Sequence, residues 1–137
     1  MKVKINFSLI ILIALTLYFD KTNICFASLA AITAHESGHI FVLIRRKIKI
    51  TKIHLRLFGL LIYTDGHLSS YESDLTTACA GILANFLVAV IFLFLYFVFN
   101  IYYFGLLFAA NVITLLFNSI PIKGFDGYDI IYIFRNL

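Results

Sequence analysis

The sequence predicts an all-α membrane protein: about four transmembrane helices, with a small cytosolic β-hairpin between the second and third. Three observations lead there. Of 137 residues, 62% are hydrophobic and 13% charged, and mean hydropathy is +0.99. A soluble domain carries about 25% charged residues, so lipid is the solvent for most of this chain. Four apolar segments stand out, at residues 5–19, 23–44, 76–99 and 101–120. One sizeable polar segment, 45–75, separates the second from the third.

The first apolar segment is short for a span, since crossing a bilayer takes about 20 apolar residues. A start at Lys2, with the lysines reaching to the interface, lengthens it. Lys2 and Lys4 before an apolar run also resemble a signal peptide, with Ala27-Ser28-Leu29-Ala30 as a cleavage site. Asp20 and Lys21 break the run well before that site, which favours a retained span. The other three segments are long enough to cross.

Residues 48–57 alternate Ile48, Ile50, Ile53, Leu55 and Leu57 with polar partners, slipping once at Lys52-Ile53. That period of two reads as a strand. Residues 60–63 form a second strand, with Asp65-Gly66 as a turn and Gly59 as a bend. Ser73 or Asp74 is the expected cap of the third helix.

Basic residues set the orientation. With the amino terminus cytosolic and four spans threaded, ten of the eleven Lys and Arg residues fall inside and only Lys21 outside. Both termini are therefore expected in the cytosol, in a multi-pass cell-membrane protein. The net charge of +4 is explained by this bias, and no nucleic-acid partner is expected. Cys25 and Cys79 fall near opposite membrane faces, which excludes a disulfide between them.

The chemistry lies in the second segment. His35-Glu36-Ser37-Gly38-His39 fits the H-E-x-x-H zinc signature. Residues four apart share a helix face, so His35 and His39 can bind one Zn²⁺ while Glu36 reaches a water beside it. Such polar groups among Ile, Leu and Ala are costly unless they pair or ligate. His35 stands nine residues from Ile44, about 13 Å below the cytosolic surface at 1.5 Å per residue, so the site opens to the cytosol.

A third ligand is needed. Asn118-Ser119-Ile120-Pro121-Ile122-Lys123-Gly124-Phe125-Asp126-Gly127 ends the fourth segment. Pro121, Gly124 and Gly127 break the helix, and broken backbone at membrane depth belongs beside a buried or watery cavity. Asp126 is the candidate ligand there. Its plainer reading is an interfacial aspartate in an exit loop. His54 and His67 in the polar segment are weaker alternatives, more simply read as solvated surface residues.

The zinc signature, followed by N-x-x-P-x-x-x-x-D-G at residues 118–127, resembles the site-2 protease family of intramembrane zinc metalloproteases. Ala80-Gly81-Ile82-Leu83-Ala84-Asn85 is similar to that family's A-G-x-x-x-N segment. Chain size and the short first span resemble the sporulation-type branch (stage IV FB-like). The resemblance implies zinc ligation by His35, His39 and Asp126, a catalytic base at Glu36, and an Asn118 that positions the substrate or the developing oxyanion. It implies one metalloprotease core domain over 1–137, acting in regulated intramembrane proteolysis. The substrate is then a membrane-embedded protein, cleaved within or near a transmembrane segment. A membrane regulatory partner or a second copy of the chain is compatible with it. Departures are the single proline before the aspartate, Phe125 where the family often has Leu, and no PDZ or CBS domain. A catalytically inactive zinc-binding scaffold and a metal transporter subunit are the competing readings. The intact Glu36 and the lack of inverted repeats count against them.

Overall fold

The computed structural model describes residues 2–4, 7–48, 50–56, 59–64 and 71–136. The Asp65-Gly66 turn and His67 lie outside them. Five helices dominate: α1 (Phe7–Phe19), α2 (Ile24–Arg45), α3 (Tyr71–Phe99), α4 (Tyr102–Asn118) and α5 (Asp126–Arg135). Three strands accompany them: β1 (Lys2–Lys4), β2 (Ile50–Arg56) and β3 (Gly59–Thr64). The sheet order is β1-β2-β3, with β1 parallel and β3 antiparallel to β2.

Two helices, Ile24–Arg45 and Leu75–Phe99 within α3, are long and apolar enough to cross a membrane; α4 is apolar but shorter. Burial runs opposite to that of a soluble protein. The buried apolar residues are mostly small: Ala27, Ala31, Ala78, Ala80 and Ala89, with Leu43 and Ile133. Among the described residues, the largest fully buried side chains are Asn85 and Asn111. Phe41, Phe94, Phe97 and Leu116 face outward. Small residues let helix backbones approach closely where lipid supplies no hydrophobic drive, and large apolar side chains then face the tails.

Several boundaries differ from the sequence reading. Lys2–Lys4 is strand rather than the start of the first helix, which leaves α1 with 13 residues. That is about 20 Å at 1.5 Å per residue, below the thickness of a hydrocarbon core. α3 starts at Tyr71, so Ser73 and Asp74 lie within its first turn and neither is its cap. Apolar content marks only the lipid-facing part of a helix, and polar residues can extend it beyond. The register irregularity in β2 falls between Ile50 and Lys52, one step before the slip in the sequence pattern.

Short connections fix the helix order. Asp20 organises the entry to α2: its Oδ2 accepts the Cys25 N–H (2.7 Å), and its Oδ1 accepts the Thr22 N–H (3.1 Å) and hydroxyl (2.8 Å). Burial tends to raise the Asp20 carboxyl, and these hydrogen bonds outweigh it, holding it below the ordinary carboxylate range. Between α3 and α4 only Asn100 and Ile101 intervene. Asn100 adopts φ of 50°, the left-handed conformation that lets a helix stop sharply. α3 packs against α2, α4 and α5, and α2 also packs against α4.

Candidate metal centre

The break after α4 is what brings a carboxylate to the histidines. Pro121 has no N–H to give the Phe117 carbonyl, and the Ile120 N–H takes that place at 3.2 Å. The chain then reverses: the Phe125 N–H donates to the Ile122 carbonyl at 3.1 Å, and Gly124 between them has φ of 108°. Only glycine adopts that backbone readily. Gly127 is buried, and a Cβ there would run into the Ser119 and Ile120 carbonyls. Its bare backbone lets the start of α5 sit against the end of α4. Asp126 is the first residue of α5, where the helix dipole favours negative charge.

The result is a tight cluster. Asp126 Oδ2 lies 3.1 Å from His35 Nε2 and 3.3 Å from His39 Nε2. The two Nε2 atoms are 3.1 Å apart. Ligands on a tetrahedral zinc at about 2.0 Å stand about 3.3 Å from one another, so this triangle has the size zinc requires. The donor set of two imidazoles and a carboxylate suits zinc as well. Side-chain exposure is 6% for His35, 13% for His39 and 16% for Asp126, so an ion here is shielded from bulk water. Asp126 Oδ2 is buried, and the groups the structure sets against it are the two imidazole Nε2 atoms, as expected of an atom meant for a shared cation. His35, His39 and Asp126 could therefore hold a metal ion.

Neighbouring helices aim the imidazoles. The rings of His35 and His39 meet edge to face, with centroids 4.8 Å apart. His39 Nδ1 lies 2.8 Å from the Thr77 carbonyl of α3. A carbonyl only accepts, so Nδ1 carries the proton and Nε2 presents its lone pair. Gly38 and Gly81 allow this approach. A Cβ on Gly38 would meet the Ala80 carbonyl oxygen at 2.5 Å and Ala84 Cβ at 2.8 Å. A Cβ on Gly81 would overlap His39 Nε2 and come within 2.5 Å of His35 Cε1.

The remaining candidates contribute no atom to the triangle. Glu36 is half-buried on α2, one step round from His35. Asn118 closes α4, and its Nδ2 donates to the Thr114 carbonyl at 2.9 Å. His54 lies in β2 opposite Leu61. Cys25 and Cys79 are free thiols. Sequence reasoning missed the Thr77 carbonyl, which has no residue-type signal because every residue carries one.

No protein-family model matches the chain, and no curated protein does. Among solved structures it is similar to the Site-2 Protease from Methanocaldococcus jannaschii, with 23% identity and a TM-score of 0.76. The match covers 98% of this chain and 67% of that one. The two share a fold.

Proposed function

We propose that this chain is an intramembrane zinc metalloprotease, hydrolysing a peptide bond within or near a transmembrane segment of a membrane-bound protein. The observation that carries the reading is the zinc-sized triangle of His35, His39 and Asp126, beside Glu36, in a fold shared with a site-2 protease. Zinc, when bound, supplies a Lewis acid and makes water a nucleophile near neutral pH. His35, His39 and Asp126 would hold it. Glu36 accepts the proton of the attacking water and delivers it to the leaving amine. Asn118 offers its amide to the carbonyl oxygen as charge develops. Residues 1–137 act as one catalytic core.

Four spans with both termini cytosolic fit the placement of ten of the eleven basic residues. Water and the products then exchange on the cytosolic side. A helical substrate hides its carbonyls in hydrogen bonds, so it must unwind before attack. β3 is an edge strand among the described residues and lies against α2. It offers an unwound segment a partner by strand addition. The short α1 favours the sporulation-type branch, and a role in regulated intramembrane proteolysis goes with that reading.

The test is metal analysis of purified protein beside cleavage of candidate membrane substrates, for wild type and Glu36→Gln. Zinc retained in both, with cleavage lost only in the variant, supports the protease. A variant that cleaves like wild type removes Glu36 from the chemistry. A wild type that holds zinc without cleaving any membrane segment favours the inactive scaffold.

A further inference from the structure

Asn85 is completely buried on α3, facing the far side of His35 from the ligand cluster. Its Nδ2 lies 3.4 Å from His35 Nδ1, and its Oδ1 has no hydrogen-bond partner. The two histidines therefore differ. His39 has its tautomer fixed by a backbone carbonyl. His35 instead faces an amide, which can either donate or accept.

The two amide orientations have opposite consequences. With Nδ2 toward the ring, His35 Nδ1 must accept, so the proton sits on Nε2. That N–H then points at Asp126 Oδ2, 3.1 Å away, and the atom needed for a metal is occupied. With the amide turned about its Cβ–Cγ bond, Oδ1 accepts from Nδ1–H. Nε2 then bares its lone pair to the cluster. The proton moves from one ring nitrogen to the other, so no net proton is released from His35.

We propose that Asn85 is a positioning residue that sets the tautomer of His35, turning its amide oxygen to Nδ1–H when the metal binds. The proposal rests on reading His35 as a zinc ligand. Asn85 does for His35 what the Thr77 carbonyl does for His39. Because a side chain rather than backbone does it, the arrangement that bares Nε2 is one amide rotation away from the one in which Nδ2 faces the ring. Partners of this kind raise ligand basicity, and losing one costs roughly 10- to 100-fold in metal affinity.

The test uses the full chain in nanodiscs, with Zn²⁺ affinity measured by chelator competition and the His35 ring nitrogens followed by ¹⁵N NMR. Asn85→Leu removes both hydrogen-bonding atoms at similar volume, and should weaken Zn²⁺ binding roughly 10- to 100-fold. Asn85→Asp only accepts, and should bind Zn²⁺ at least as tightly as wild type, with the proton on Nδ1 in both. A folded Asn85→Leu chain of wild-type affinity overturns the proposal. So does an Asn85→Asp chain weakened tenfold, which decides the matter alone if Asn85→Leu does not fold. Asp126→Ala separates the two readings. If it abolishes Zn²⁺ binding while Asn85→Leu keeps wild-type affinity, the metal centre stands and the role of Asn85 falls. A wild type that takes up no Zn²⁺ overturns both.

Discussion

Gly81→Ala adds one methyl group, and the structure lets its effect be worked out. The new Cβ would overlap His39 Nε2 and approach His35 Cε1 at 2.5 Å and His35 Nε2 at 2.7 Å. Ordinary contact for such atoms is about 3.5 Å, so the rings must retreat by close to 1 Å. A metal site tolerates about 0.2 Å. Neither ring is free to swing: His39 is tied to Thr77, and His35 faces Asn85. The helix itself should gain, because Ala is favoured over Gly by about 1 kcal/mol in a helix interior. Overpacking costs about 1–3 kcal/mol, so the fold survives near its normal stability while the ligands are displaced. Zinc affinity should fall by well over tenfold, since the loss of a mere outer-shell partner already costs roughly 10- to 100-fold. Chelator competition measures the affinity, and thermal unfolding of the zinc-free chain measures the fold. A variant that unfolds as wild type does and binds zinc within twofold would refute the claim that Gly81 exists to admit the imidazoles.

Other outcomes follow from the same geometry. Asp126→Ala should strip zinc almost completely by metal analysis, and full retention would remove Asp126 from the site. Glu36→Gln should retain zinc and lose cleavage, as the proposed test requires. Reporter fusions after Lys4, Lys21, Arg56, Asn100 and Arg135 should alternate in, out, in, out, in, and an external Arg56 fusion would reverse the orientation.

The sequence made the apolar helices legible because a helix long enough to cross a membrane shows length and composition together. Residues 23–44 became Ile24–Arg45, and 101–120 became Tyr102–Asn118. It was blind to the polar first turn of α3 and to β1, which has three residues and no readable period. The zinc signature named His35 and His39 because one helix fixes their spacing. Asp126 needed an argument from Pro121, Gly124 and Gly127, and it reaches the cluster because those residues turn the chain back. Gly81 and Asn85 were visible only as a motif. Which atoms they meet depends on how α3 packs on α2, and no single-chain pattern carries that.

Asn118 is the candidate whose role the geometry divides most evenly. One reading makes it a local cap that satisfies carbonyls freed by Pro121. The carbonyl freed by Pro121 is that of Phe117, and the Ile120 N–H reaches it. The Asn118 amide bonds the Thr114 carbonyl one turn earlier, using one of its two N–H hydrogens. The break after α4 is thus closed by backbone alone, and the side chain adds little that the fold requires. That leaves the second hydrogen for a substrate carbonyl. Asn118→Ala should then keep zinc and unfold close to wild type. Its turnover should fall on the order of 10²-fold or more, the usual cost of one oxyanion donor. The measurement is cleavage rate at saturating substrate beside zinc content. Normal turnover with zinc in place would return Asn118 to the capping role and leave zinc to stabilise the oxyanion.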